Sequence, residues 1–540
     1  MKTPILGSSY VARSVNAADN RMINLFPEIV AEARKEPAFL QRAPGLRLIT
    51  TAGVGPIRGM WQFNGRSFVV SGGFLYQLTS DWRVIQIGEI GGTGSVSMAD
   101  NGNQLFIAAN PEAFIYNVTT RNLQRITDPD FPGAVTVGYI DGYFVFNEPN
   151  SQRIWITSIY DGTNIDALDF ASAEGSPDNI VAVIVDHREV WLFGTNSVEV
   201  WYNSGNPDFP LSRIQGAFNE LGCVAPYSVA KLDNTIFWLG ADARGRGIVY
   251  KAKGYTGERI STHAVEWQIQ QYANMGDAIG YTYQQDGHAF YVLVFPSANT
   301  TWVYDASTQV WHERAGWDGA RFTRHRGNCQ MSYNSEIVIG DYENGNLYAF
   351  DLNYYQDNGG IQKWLRSWRA LPTGQNNLKR TTQHSLQLDC ETGATLYSDD
   401  FSGFYQLITE NGYTIVTEFN QIYIQTENAE FLTTESGDEL VLINYPEPYP
   451  DGYTLITEEE PPAMGADPQV MLRWSDDSGH TWSSEHWKSM GRIGQFGYRT
   501  IWRRLGMTLK IRDRVYEVSG TDPVKIAIVG AELILDPTNA

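Results

Sequence analysis

Apolar positions in this chain come in short runs, broken by Asn, Asp and Gly, and they never hold the 3.6-residue spacing of an amphipathic helix. A unit recurs through the first 350 residues: a short strand, a tight turn, an apolar strand, a second turn, and a strand carrying Tyr or Trp. IRGMWQFNGRSFVVSGGFLYQL, from Ile57, is one copy, and further copies begin at Ser95, Val135, Val181, Tyr227, Ala278 and Gln330. The spacing, roughly 40–50 residues, is that of a four-stranded propeller blade. The first turns fall at Asn64-Gly65, Asn101-Gly102 and Asp141-Gly142, dipeptides that supply the positive φ angles of type I′ hairpins. Asn117-x-x-Thr120-x-x-Leu123 and Asp305-x-x-Thr308-x-x-Trp311 resemble the kelch-type turn between third and fourth blade strands.

The pattern changes after about residue 355. HSLQLDCE reads as a strand whose plausible partner is QVMLRWSDD, some 75 residues on. Between them lies an insertion, 394–465, where Tyr, Ile and Leu alternate with Thr and Glu between turn residues, as in short hairpins with one carboxylate face. The tail supplies strands QVMLRWSDD, TWSSEHWKSM, TIWRRLGMTLKIRDR, VYEVSG and VKIAIVGAELIL. The expectation is an all-β chain: a β-propeller of six or seven blades, seven favoured, plus a C-terminal β-sandwich-like domain with an acidic β-hairpin insertion. The boundaries are an N-terminal arm with leading strands at 1–54, the propeller at 55–355, the C-terminal domain at 356–393 and 466–540, and the insertion at 394–465.

Composition supports this class, with 51 Gly, 29 Tyr, 24 Phe and 16 Trp. The net charge of −21 argues against tight wrapping of nucleic acid, which needs Lys and Arg on phosphates. Of the acids, 14 lie in the insertion, which has no Lys or Arg; Glu418, Glu427, Glu435, Asp438, Glu439, Glu458, Glu459 and Glu460 are the candidates for an acidic channel or spout face. Arg492, Arg499, Arg503, Arg504, Lys510, Arg512 and Arg514 form a basic cluster, read either as a docking surface or as the solvated face of a sheet. Cys223, Cys329 and Cys390 have no disulfide or zinc spacing and read as buried reduced thiols. No run of 18 apolar residues suggests membrane insertion, and no long apolar leader follows Met1, so assembly inside a cell is expected.

Ser475-x-Asp477-x-Gly479-x-Thr481-Trp482 resembles the Asp-box of sialidases and other propeller glycosidases. It is expected to be a structural turn: Asp477 and Ser475 bond turn amides and Trp482 packs beneath. Trp474, Trp482 and Trp487 could bind glycans, and packing in the sheet is the preferred reading. No arginine triad, paired carboxylates, HExxH or Ser/His/Asp signature nominates an active site, so neither an enzyme nor a cofactor is expected.

Three stretches carry a family resemblance: NAADNRMINLFPEIV with LQRAPGLRLI, then SPDNIVAVIVDHREVWLFGTNSVEVWYNSG, then WKSMGRIGQFGYRTIWRRLGMTLKIRDR. With the propeller repeat, they make the chain resemble the packaged-DNA stabilisation proteins of short-tailed phages, the tail hub or nozzle proteins. The resemblance implies a structural virion protein, assembled in the host cytoplasm as a ring, normally a homohexamer, below the head-to-tail adaptor. Its partners would be a tail needle or plug, tailspikes or fibres, and double-stranded DNA retained and then passed during ejection. The insertion at 394–465 departs from the family pattern, so no role there is inherited. The alternatives are a glycan- or receptor-binding propeller and, more distantly, a sialidase-like glycosidase.

Overall fold

Two-residue turns with positive φ at both positions set up the hairpins. The computed structural model describes residues 1–11, 19–30, 37–173, 175–242, 245–371, 380–393, 407–408, 414–415, 421–423, 441–443, 467–477, 479–492, 495, 497–508 and 514–537. Such turns join the first and second strands of six blades, at Asn64-Gly65, Asp141-Gly142, His187-Arg188, Asp233-Asn234, Asp286-Gly287 and Asn334-Ser335. The expected tight turn at Asn101-Gly102 is instead a three-residue loop: Asn101 Oδ1 accepts from the amides of Asn103 (3.0 Å) and Gln104 (2.6 Å), and only Gly102 has positive φ. The Asn side chain makes an Asx turn there, which lengthens the loop by one residue.

Among the described residues, seven four-stranded antiparallel meanders follow one another. They begin at Ile57, Ser97, Val137, Ile180, Ala230, Ile279 and Gly327. The seventh takes only three strands from its own stretch. Its outer strand is Gly45–Thr51, paired antiparallel with Asn346–Asp351. Apolar clusters fill every junction: Phe68 and Val70 against Leu105 and Ile107, Phe106 against Phe144, Val145 against Val190, Phe193 against Trp238. Phe237 then packs with Tyr291, Phe290 with Tyr348, and Val338 with Val69, which brings the seventh blade back to the first. The ring of cores is closed.

The kelch-type turns have their expected position between third and fourth strands. Asn117 Oδ1 accepts from the amides of Thr119 and Thr120, both at 3.0 Å. Asp305 accepts from the Ser307 amide at 2.9 Å and from Thr308 Oγ1 at 2.7 Å. Trp311 is fully buried between blades five and six.

The remaining strands form a sandwich of two sheets. One orders Met22–Ile23, Trp364–Arg369, Val515–Gly520, Gln469–Ser475 and His486–Ser489, and joins blade six where Ile23 pairs in parallel with Glu313. The other orders Leu25–Ile29, Ala38–Arg42, Lys525–Pro537, Thr381–Gly393 and Thr500–Met507. The N-terminal segment therefore threads both layers of the sandwich before closing the propeller. The pairing of HSLQLDCE with QVMLRWSDD that the sequence led one to expect is not formed. Thr381–Gly393 has both edges occupied, by Lys525–Pro537 and Thr500–Met507, and Gln469–Ser475 lies in the opposite layer. Leu386 and Leu388 share a core with Val470 and Leu472, so the two strands meet face to face rather than edge to edge.

The chain divides into two units, with residues 395–463 as the second. Described there are two short antiparallel pairs, Leu407–Ile408 with Thr414–Ile415 and Gln421–Tyr423 with Val441–Ile443. The eight candidate acids from Glu418 to Glu460 lie outside the described residues.

Candidate interaction surfaces

The innermost blade strands surround an axial cavity of about 540 Å3. Glycine at the axis permits the close approach: a Cβ on Gly59 would come to 2.5 Å from Val96, and one on Gly138 to 2.6 Å from Val185. Arg58 lines one part of the wall, its Nε donating to Gly94 O (2.6 Å) and its Nη1 to Gly72 O (2.9 Å) and Gly91 O (2.5 Å). Burial pushes the nearby Tyr227 phenol up to about 12. Trp61 Nε1 donates to Asp100 at 2.9 Å, and Lys231 stands 3.8 Å from Asp186. Each of these cavity charges already has a partner, and the rest of the wall mixes apolar side chains such as Met60, Val96, Val137 and Ile184 with the polar Ser97, Thr136, Asn328 and Gln330. The volume is that of a small-ligand pocket.

The turn-bearing face of the propeller is laced from blade to blade. Asn64 Nδ2 donates to Gly102 O (2.6 Å), Arg188 to Asp141 (2.6 Å), and Asn334 Nδ2 to Ser80 O (2.7 Å), while His187 Nε2 meets Asn234 Oδ1 at 2.7 Å. These bonds hold non-glycine residues such as His187 and Arg188 in the left-handed region, which L side chains otherwise avoid.

The Asp-box-like residues come together in the sandwich rather than in a blade. Ser475 Oγ donates to Asp477 Oδ1 (2.7 Å) and accepts from the Gly479 amide (2.7 Å). Asp477 also accepts from the Thr481 amide (2.8 Å) and from Thr481 Oγ1 (2.6 Å), hydrogen bonds that hold its carboxyl well below the usual range. Gly479 has φ +94°, and Trp482 lies under the Arg473 guanidinium at 4.6 Å.

The basic cluster separates into two kinds. Arg492, Arg499, Arg503 and Arg504 are exposed, and Lys510 and Arg512 lie outside the described residues. Arg514 is not part of an exposed cluster: its side chain is 1% accessible and pairs with Asp476 through Nε (2.7 Å) and Nη2 (2.9 Å). Its Nη1 also donates to Leu505 O at 2.5 Å, so it ties three strands together. A bulge accounts for the outward Arg503 and Arg504. Gln383 pairs with Gly506 and Ser385 with Arg503, and the extra residue is absorbed at Arg504, with φ +62°.

Trp487 is not packed in the sheet; it is 51% exposed. It lines a groove of about 800 Å3 together with Lys488, Tyr498, Arg499, Arg503 and Arg504. Trp474 stacks on His486 at 4.8 Å in the same wall. Sequence reasoning missed Lys488 and Tyr498 as members of this surface. Alternation along His486–Ser489 was the available signal, but it does not tell an edge strand from an interior one.

A family model described as bacteriophage P22 Gp10, beta-propeller, matches residues 1–355, and one described as bacteriophage P22 Gp10, beta-sandwich, matches residues 456–535. The chain belongs to the bacteriophage P22 Gp10 family. As a member of the P22 Gp10 family it is a structural phage protein of the tail hub, a virion component whose family stabilises packaged DNA. No curated protein matches the sequence. Among solved structures the chain is similar to a chain in the "Crystal Structure of Mitotic Checkpoint Complex" (12% identity, TM-score 0.38, 60% of this chain and 95% of that one). It is also similar to the N-terminal domain of Nup159 (9%, 0.36, 59% and 97%) and to the computationally designed Ika8 protein (13%, 0.34, 62% and 99%).

Proposed function

We propose that copies of this chain, six in the family's usual arrangement, form a ring attached below the head-to-tail adaptor, and that the ring retains the packaged genome and forms the channel for its ejection. The observation that carries this reading is the match of the whole propeller to a packaged-DNA stabilisation family. The axial cavity of about 540 Å3 adds a constraint. A duplex does not pass through a space of small-ligand size, so the DNA path runs between copies. The charge of −21 suits such a path: phosphates are not gripped and the duplex slides. A needle or plug closes the far end, and tailspikes or fibres attach at the ring's side.

Within the insertion, Glu458, Glu459 and Glu460 are the carboxylates assigned to this wall, at the channel or its distal spout. Replacing Glu458, Glu459 and Glu460 with Lys adds phosphate contacts and is expected to slow ejection, more so at low salt. Ejection kinetics equal to wild type at every salt concentration would remove the insertion from the path. The ring itself is tested by reconstructing the tail from imaged particles. Copies of a seven-bladed disc around a duplex-wide lumen below the adaptor support the reading, and the chain found elsewhere in the particle refutes it.

A further inference from the structure

The groove between His486–Ser489 and Thr500–Met507 lies where the two sheets of the sandwich end side by side, each of these strands being the last of its sheet among the described residues. Side chains from one layer already cap backbone groups of the other: Trp502 Nε1 donates to His486 O (2.9 Å) and Thr500 Oγ1 to Ser489 O (3.1 Å). The bulge at Arg503-Arg504 further breaks the ladder. An edge blunted in this way does not take an added strand, so an occupant is held by side chains.

Those side chains are four cations, Lys488, Arg499, Arg503 and Arg504, against one acid in the wall, Glu485, with the half-exposed rings of Trp487 and Tyr498 between them. Such a surface fits a segment in whose sequence carboxylates alternate with apolar or aromatic residues. The chain carries such a segment. Residues 394–465 have 14 acids, no Lys or Arg, and Tyr, Ile and Leu alternating with Thr and Glu.

We propose that the groove receives the acidic segment 394–465 of a second copy, so that each copy contributes one cationic and one acidic surface to its neighbours. This rests on the ring reading above. Charge complementarity across such a contact fixes partner and register, with Arg forks on carboxylates giving the directional part. Duplex DNA is the other polyanion available. It is disfavoured because four cations on a chain of net charge −21 would have to overcome repulsion along the rest of the duplex.

The test couples carboxylates to amines at zero length in rings assembled from equal amounts of 14N- and 15N-labelled full-length chains. The expected result is Lys488 joined to acids within 399–460, with mixed-isotope pairs present. Reversing Arg499, Arg503 and Arg504 to Glu, all exposed positions, is expected to reduce this product about tenfold, and adding Glu435→Lys, Asp438→Lys and Glu439→Lys to restore it. Intact rings in which Lys488 couples only within one copy, or to no residue of 399–460, overturn the inference while leaving the hub reading in place. So does an Arg-reversed ring that keeps the product but loses duplex binding. If wild-type chains form no ring, the hub reading fails, and mixed-isotope coupling between paired copies would then still support the contact.

Discussion

Arg514 holds the sandwich together from inside, with both oxygens of Asp476 on its guanidinium and the Trp474 ring 5.2 Å away. Removing one member of a buried ion pair costs about 3–5 kcal/mol. Arg514→Met is therefore expected to lower stability by that order in denaturant unfolding, whereas Arg504→Met is expected to change it by less than about 0.5 kcal/mol. The two arginines lie in one basic run, and nothing in their spacing separates them; Asp476, 38 residues earlier, does. Asp357 gives a pH-dependent prediction. Burial raises its carboxyl to about 7, with Arg326, Arg42 and Arg314 holding it partly down. Between about 4 and 7 the folded chain keeps a proton that the unfolded chain has released, so this group's contribution falls as pH rises through that window and is lost above it. Asp357→Asn is expected to be more stable than wild type at pH 8, by roughly 2–4 kcal/mol, with the difference closing toward pH 4. Denaturant midpoints measured across that range check the sign.

Elements were legible where the signal was local. The Asn-Gly and Asp-Gly turns and the alternating strands mark six or seven blades, because a type I′ turn and a pleat each need only neighbouring residues. Long-range pairing was not legible in the same way. Period-two alternation says which face of HSLQLDCE is buried, yet it is equally compatible with QVMLRWSDD beside it or across from it. The closing strand Gly45–Thr51 was hidden for the same reason, since its partner Asn346–Asp351 lies some 300 residues away. That strand yields its own prediction. Leu46 is fully buried against blade seven, while Leu48 on the same strand is 45% exposed. Leu46→Asp buries an unpaired carboxylate and is expected to remove hydrogen-exchange protection across 327–351, with Leu48→Asp leaving it in place.

At the scale of the molecule, seven inter-blade cores and one sandwich core make a rigid platform, and the N-terminal segment stitches the two together. The candidate surfaces were only partly visible in advance. The turn at Ser475–Trp482 and the exposed arginines could be found from residue types, but the groove required knowing which strands end each sheet. The axial cavity, with its charges already paired, directs attention to contacts between copies rather than to chemistry within one. The most direct measurement is made on particles from a phage whose gene for this chain carries an early stop codon, imaged and assayed for nuclease-accessible DNA. The account predicts heads that fill and then leak their genome and lack the tail nozzle. Stable, DNA-full, tailed particles that merely fail to adsorb would contradict it.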